Sequence, residues 1–305
     1  MDSYKGLYLI GNGFDIHHHI NSGYGHFKDW LENRDPVVFN RLFQVYDLCG
    51  GDLWSSLEEN LGNIPLEAII ENYVYSPFMI FFTRADGSTG FFNLDDFSDG
   101  PVPEIGFTLQ RLYFLMDQYL KEWVLQLKEP DYGQKIKISL EKAFFINFNY
   151  TQTLETLYGI SSNNIYYIHG CAALGHQLIF GHNQTIRDLK NNWNYNSISE
   201  VKEEIEEAMR DIEIMYKDVD YIIKNSYNIW TKISNVDTIH IWGLSLSDVD
   251  IPYIDYIKNI INTNTKWEIQ WYNEEDKVKK EKIVKNLQLN NVSWIQFKDI
   301  LVKYN

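Results

Sequence analysis

The sequence predicts an α/β protein in which helices flank a parallel sheet. Near the N-terminus a short apolar run at 6–10 ends at Gly11, and a pattern with helical spacing follows at 24–31. In the last third of the chain, strand patterns alternate with helix patterns. Strands are indicated at 236–242, 266–272 and 292–297, and helices at 251–261 and 274–287. Strands joined by helices pair in parallel, because each helix carries the chain back across a face of the sheet.

The other strand signals lie in the middle of the chain. Apolar runs predict strands at 143–147, 165–168 and 178–180, and a helix is indicated at 154–158. The region before them differs, because turn signals at 86–90 and 99–101 precede an amphipathic helix pattern at 109–127. We therefore predict a discontinuous core made of 1–32, 140–185 and 235–305. Mainly helical insertions are predicted at 33–139 and 186–234.

A charged helix with one apolar stripe is indicated at 200–220. The stripe alternates by four and three residues, as in a coiled coil, and consists of Val201, Ile205, Ala208, Ile212, Met215 and Val219. This spacing favours a helix that packs against its own domain. The alternative, that the stripe is a contact surface in a homo-oligomer, stays open.

Composition and charge narrow the classes of function. The formal net charge of -15 argues against a broad basic surface for nucleic acid. The chain has 2 cysteines, too few for a four-cysteine zinc site. We expect no membrane segment, because no apolar stretch is long enough to span a bilayer. The N-terminus lacks the pattern of a signal peptide, so a cytoplasmic protein is expected.

Four segments carry unusual residues where predicted strands end, and ligands of open α/β sheets bind at that edge. The segments are 11–15, 147–151, 169–170 and 243–245. The first contains Gly11, Asn12 and Gly13, and its glycines let the backbone approach a phosphate closely. The dinucleotide fingerprint asks for a third glycine, and Ile16 stands in its place. A tight turn without a ligand therefore stays open as an alternative.

The other three segments supply polar groups. The Asn149 carboxamide can hold a water or a ribose hydroxyl, or it can cap the next helix. His169 can accept a proton near neutral pH, or it can be a structural histidine. Ser245 can donate to a phosphate, and its spacing to Asp248 is that of a capping box.

Two further patterns are weaker. His17, His18 and His19 are consecutive, so their side chains do not face one point, and we predict no metal site. Residues 181–183 either line the site or form a turn. A serine hydrolase is disfavoured because the chain lacks Gly-x-Ser-x-Gly.

Taken in chain order, these segments resemble the bacterial AbiH family of phage abortive-infection proteins, which is distantly similar to the SIR2-like NAD-binding superfamily. The matching pieces are LIGNGFD at 9–15, NFNYTQTLE at 147–155, IHG at 168–170, IFGHN at 179–183 and GLSLSDVDIPY at 243–253. His18, Ser22, Tyr24 and Phe27 extend the first piece.

The resemblance implies a Rossmann-like, SIR2-like core that binds NAD. His169 would stand at the catalytic histidine, and Asn149 at the asparagine that orients the ribose or a water. The implied cofactor-binding residues are Gly11, Asn12, Gly13, Phe14, Asp15, Thr151, Gly243 and Ser245. The sirtuins' four zinc cysteines are missing, which disfavours protein deacylation and favours simple cleavage of NAD as substrate. SIR2-like domains in other phage-defence proteins cleave NAD.

Three functions compete at this point. The first is an NAD glycohydrolase, with a phage-derived trigger left open as a partner. The second is a nucleotide-binding sensor or toxin module without catalysis. The third is a nuclease, which the acidic charge and the lack of a recognisable cluster of metal-binding carboxylates disfavour.

Overall fold

The computed structural model of the chain describes residues 4–46, 53–69, 79–83, 89–93, 109–194 and 202–303. They fall into two compact units. The sheet unit lies within Met1–Gly23, Lys121–Ile179 and Asp218–Asn305, and the helical unit lies within Tyr24–Leu120 and Phe180–Lys217. The turn predicted at 99–101, the first part of the one at 86–90, and Val201 lie outside the described residues.

The described strands are β1 (Gly6–Ile10), β2 (Met79–Thr83), β3 (Thr89–Asn93), β4 (Ala143–Asn147), β5 (Ile165–Tyr167), β6 (Thr238–Trp242), β7 (Lys266–Gln270) and β8 (Val292–Ile295). The helices up to the middle of the chain are α1 (Asn12–His17), α2 (Tyr24–Arg34), α3 (Pro36–Tyr46), α4 (Leu57–Leu61), α5 (Leu66–Ile69), α6 (Leu109–Leu125) and α7 (Thr153–Tyr158). Those that follow are α8 (Ile186–Asn192), α9 (Lys202–Glu213), α10 (Val219–Asn225), α11 (Tyr227–Ile233), α12 (Ile251–Ile260) and α13 (Glu274–Asn286).

The sheet unit contains a six-stranded sheet whose neighbouring strands are all parallel. The strand order is β5-β4-β1-β6-β7-β8. Counted within this sheet alone, the order is 3-2-1-4-5-6, which is that of the Rossmann fold. The predicted α/β class with a parallel sheet and flanking helices is confirmed.

Both faces of the central strand β1 are buried. Leu7 and Leu9 pack in a cluster with residues of α12, and Tyr8 and Ile10 pack in a second cluster with Phe14 of α1. Successive side chains of a strand point to opposite faces, so one apolar run can serve two layers of helices. This explains why the run at 6–10 is continuously apolar instead of alternating.

The helical unit contains α2 to α5, α8, α9 and most of α6, together with the antiparallel pair β2 and β3. On α9, the stripe residues Ile205, Ala208 and Ile212 are all buried. The stripe therefore packs within the chain, as the sequence favoured.

Three local predictions are wrong. The helix indicated at 200–220 ends at Glu213, and a separate helix, α10, begins at Val219, where Asp218 caps it by accepting from the Tyr221 N–H at 2.9 Å. Residues 178–180 form no strand; the Ile179 N–H donates to the His169 carbonyl at 2.9 Å outside the sheet. Ser245 does not cap a helix, because α12 begins only at Ile251.

Among the described residues, no helix combines the length and the apolar character needed to cross a membrane.

Candidate functional site

The strand order reverses at β1, and the four candidate segments follow the strands around that point. Ile10, the last residue of β1, pairs with Asn147 of β4 on one side and with Trp242 of β6 on the other. Asn147 pairs in turn with Tyr167, the last residue of β5. The four strands therefore end at one level, and the segments after them share one edge of the sheet. Rossmann folds bind their ligands at this edge.

The glycine loop after β1 packs directly on the loop after β6. The Gly11 N–H donates to the Trp242 carbonyl at 2.9 Å, and the Gly13 N–H donates to the Gly243 carbonyl at 2.8 Å. A Cβ added at Gly11 would lie 2.7 Å from the Gly243 oxygen. Close contact between two backbones therefore explains why glycine stands at this position, so the glycines alone do not identify a phosphate site.

The residues around the glycine loop are fixed by packing and hydrogen bonds. Phe14 is fully buried in the cluster that holds Trp242. The Asn12 carboxamide donates to the Ser22 carbonyl at 3.1 Å and accepts from the Ser22 hydroxyl at 2.5 Å. Asn12 thus ties the start of α1 to the turn that follows this helix.

Asp15 is a buried carboxylate held by two threonines. Its side chain is 0% exposed, one oxygen accepts from Thr151 at 2.5 Å, and the other accepts from Thr153 at 2.7 Å. Burial raises the pKa of Asp15 to about 6, although hydrogen bonds from Thr151, Thr153 and Asn149 work against the rise. Asp15 therefore connects α1 to the loop after β4.

Asn149 connects the same loop to the glycine loop. Its carboxamide nitrogen donates to the Gly11 carbonyl at 3.0 Å, and its backbone N–H donates to the Asn147 side-chain oxygen at 3.0 Å. The Asn147 carboxamide donates to the Thr151 carbonyl at 3.2 Å. The two loops nearest the strand reversal are thus one hydrogen-bonded assembly, and Asn149 lies at its centre.

His169 follows β5, which neighbours β4 on the side away from β1, and aromatic rings surround its side chain. Its Nε2 is 3.2 Å from the Tyr253 hydroxyl oxygen, and its side chain is 3% exposed. The Phe148 ring is nearly perpendicular to the imidazole at 5.3 Å. The sequence drew attention to Tyr253 only as part of GLSLSDVDIPY, with no role attached to it. Its place in the first turn of α12, behind Pro252, was the available signal.

The loop after β6 is held by residues that the sequence gave no reason to choose. The Gln270 side-chain oxygen accepts from the Gly243 N–H at 3.2 Å, and the Gln270 carbonyl accepts from the buried Lys280 ammonium at 2.8 Å. Ser245, in the same loop, is exposed. The Ser245 side chain is therefore accessible to solvent at the edge of the sheet, while Gly243 is anchored.

Comparison with known proteins adds the family. Residues 7–271 match the family model described as bacteriophage abortive infection AbiH. The chain belongs to the AbiH family. The matched region includes every candidate residue named above, as well as Tyr253, Gln270, Thr151 and Thr153. The family points to a role in phage abortive infection. No curated protein and no solved structure matches the chain.

The side chains of the three consecutive histidines of this AbiH chain contact different groups. His17 contacts the Gln134 carbonyl and His19 contacts Asp131, both at 3.0 Å. His18 donates from Nδ1 to the Phe14 carbonyl at 2.6 Å and accepts at Nε2 from the Tyr158 hydroxyl at 2.7 Å. Burial lowers the pKa of His18 to about 4, so His18 is neutral at pH 7. Within the described part of the chain, no three His, Cys, Asp or Glu residues group as a metal site.

Residues 181–183, which contain His182, belong to the helical unit. His182 is fully buried; its Nε2 donates to the Ile212 carbonyl at 2.9 Å, and its Nδ1 accepts from the Gln184 N–H at 3.1 Å. Burial lowers the pKa of His182, so the neutral ring serves as a structural connector. Residues 181–183 form no turn, because His182 pairs with Tyr216 in an isolated parallel β-bridge.

Proposed function

We propose that this AbiH protein is an abortive-infection effector that hydrolyses NAD to nicotinamide and ADP-ribose. The observation that carries the proposal is the hydrogen bond from the Asn149 carboxamide to the Gly11 carbonyl. It joins the glycine loop and a carboxamide at the strand reversal of a Rossmann-ordered sheet, where dinucleotides bind in this fold. The resemblance of the same segments to SIR2-like proteins supports NAD as the dinucleotide.

The reaction needs few groups from the protein. The bond between the ribose C1′ and the nicotinamide nitrogen breaks, and its electron pair goes to the nicotinamide ring. The sugar passes through an oxocarbenium-like centre, as in glycoside cleavage. Water then adds to C1′ and loses a proton, which His169 accepts. The products are nicotinamide, ADP-ribose and one proton.

The other residues would bind and orient the substrate. Asn149 would position the water or a ribose hydroxyl, since a carboxamide both donates and accepts. The glycine loop and Ser245 would hold the pyrophosphate. Asp15 is fully enclosed, so it would act through Thr151 and Thr153 by keeping the two loops in place. We infer for the same reason that Phe14 supports the loop by packing.

The test is incubation of the purified chain with NAD, followed by chromatography of nicotinamide and ADP-ribose. We expect equal amounts of both products from the wild type. The variant His169→Ala should lose at least about 100-fold in rate, which is the lower range for an acid–base group. Asn149→Ala should also lower the rate, because the water or ribose hydroxyl is then no longer positioned. The matched control is His176→Ala, an exposed histidine in the loop after the same strand. Wild-type cleavage that survives in His169→Ala would overturn the assigned role of this histidine.

A second candidate is a module that binds the nucleotide without cleaving it. The burial of His169 favours it, because an imidazole that is 3% exposed meets a substrate only if its surroundings move. Titration calorimetry distinguishes the two candidates. Saturable binding of NAD with no product formed would support the binding module, and the absence of any nucleotide binding would remove it.

A further inference from the structure

Asp15 of α1 and Thr151 of the loop after β4 form a hydrogen-bonded pair at the candidate edge of the sheet. The Thr151 hydroxyl lies 2.5 Å from one Asp15 oxygen, and the Thr153 hydroxyl lies 2.7 Å from the other. Asp15 is 0% exposed and Thr153 is 3% exposed, whereas Thr151 is only partly buried. Thr151 is therefore the member of this group that keeps contact with solvent.

The ionised carboxylate fixes the direction of these hydrogen bonds. A carboxylate oxygen only accepts, so each threonine hydroxyl donates its single proton to Asp15. The two hydroxyl oxygens are 3.3 Å apart, but neither has a second proton to give to the other. Although burial raises the pKa of Asp15 to about 6, the carboxylate is ionised at pH 8. The Thr151 oxygen then keeps only lone pairs, so it offers a ligand an acceptor and no donor.

No cation compensates the charge of Asp15. In the part of the chain that the structure describes, the partners of its side chain are the hydroxyls of Thr151 and Thr153 and the carboxamide of Asn149, all of them uncharged. A ligand anion at Thr151 would therefore meet an acceptor oxygen with a negative charge directly behind it. A ligand hydroxyl would find an acceptor for its proton.

We propose that this pair is the subsite for the 2′-hydroxyl of the adenosine ribose, which donates to the Thr151 oxygen, and that the protein therefore selects NAD over NADP. The inference rests on the proposed function for its dinucleotide. Rossmann folds bind this hydroxyl through an acidic side chain, and they use an arginine for the phosphate that replaces it in NADP. Thr151 follows β4, the neighbour of β1 in the sheet. The NADP phosphate has only acceptor oxygens once it is fully ionised, so it cannot replace the hydroxyl as a donor.

The test compares Asp15→Asn with Asp188→Asn by titration calorimetry of NAD and NADP at pH 8. Asp188 is a matched control in the helical unit, because its carboxylate also accepts from a threonine hydroxyl, that of Thr185 at 2.6 Å. The wild type and Asp188→Asn should bind NAD at least about tenfold more tightly than NADP, because juxtaposed like charges strongly disfavour a ligand. Asp15→Asn should lose most of this preference. The variant removes the charge, and its amide can donate to a threonine, whose own proton is then free for the phosphate.

Two variants of Thr151 test the hydroxyl itself. Thr151→Ser keeps the hydroxyl and should keep the preference for NAD. Thr151→Val has nearly the same shape without the hydroxyl, so it should weaken NAD binding by about tenfold, which is the effect of one lost hydrogen bond to a polarised group. NADP binding should change less, because NADP makes no such bond.

The outcomes separate this inference from the proposed hydrolysis. NADP that binds the wild type as tightly as NAD overturns the inference without any variant, even if Thr151→Val fails to fold. An unchanged preference in folded Asp15→Asn protein overturns it as well. If the wild type prefers NAD but does not cleave it, the proposed hydrolysis fails and the inference stands. If the wild type binds and cleaves both nucleotides equally, the inference fails and the hydrolysis stands, and binding of neither nucleotide removes both.

Discussion

At the scale of single residues, the Asp15 carboxylate shows how this chain tolerates a charge in its interior. Burial of a carboxylate without donors is strongly unfavourable. Asp15 has a hydroxyl donor for each oxygen: Thr151 in the loop after β4, and Thr153 at the start of α7. The donors limit the cost of burial without removing it, since the pKa of Asp15 still rises to about 6.

This pKa makes the stability of the protein depend on pH. The folded pKa of Asp15 lies above the ordinary value of 3.8, so its contribution to stability is complete below about pH 4 and is lost as the pH rises through 6. Asp15→Asn cannot ionise. Relative to the wild type, its free energy of unfolding should therefore rise by about 2 kcal/mol between pH 4 and 7. Denaturant unfolding of both proteins across this range is the measurement, and parallel curves would contradict it.

Gly243 offers a second prediction at this scale. Its φ is +72°, and an added Cβ would lie 2.2 Å from the Phe14 nitrogen. Gly159 has a similar φ of +65°, but no atom lies within 4 Å of its added Cβ. Gly159→Ala should therefore cost about 1 kcal/mol from backbone strain. Gly243→Ala should cost on the order of 3 kcal/mol or more, because a steric clash adds to the strain.

Denaturant unfolding of the two glycine variants, side by side with the wild type, is the check. Equal losses of stability would show that the loops after β1 and β6 do not touch as described.

At the scale of elements, a buried ion pair joins three segments of the helical unit. The Lys217 ammonium contacts a Glu58 oxygen at 2.8 Å, and the side chain of Lys217 is 1% exposed. The other Glu58 oxygen accepts from the Tyr24 hydroxyl at 2.7 Å. These contacts connect the start of α2, the first turn of α4 and the segment that follows α9.

Removal of one partner of this ion pair should lower the free energy of unfolding more than removal of both partners does. Lys217→Met or Glu58→Leu alone leaves a charge in the interior and should cost about 3–5 kcal/mol. The double variant leaves none, so its loss should be clearly smaller than the sum of the two single losses. A double-mutant cycle on the free energy of unfolding measures this. Additive losses would mean that the pair contributes no coupling.

At the scale of the whole molecule, the sequence was sufficient for the fold class but not for the contacts of the site. Apolar runs and periodicity predicted all six strands of the parallel sheet, since these signals are local. The short run at 178–180 failed because an apolar tripeptide does not distinguish a strand from packed coil.

The contacts of the site depend on tertiary structure. His169 and Tyr253 are 84 residues apart, and no local pattern links them. The same holds for Gln270 and Gly243, which meet only because β6 and β7 are neighbours in the sheet. Glu58 and Lys217 are charged residues in helical or loop sequence, and such charges are usually solvated. Their burial follows from how the segments pack.

The measurement that tests the central claim most directly is the NAD content of bacterial cells during phage infection. It compares cells that carry the wild-type chain with cells that carry His169→Ala, in a host and phage for which the wild type gives protection. The account predicts that NAD falls after infection, and that nicotinamide and ADP-ribose appear, only with the wild type. Protection by the wild type while NAD stays at the level of the His169→Ala cells would contradict it.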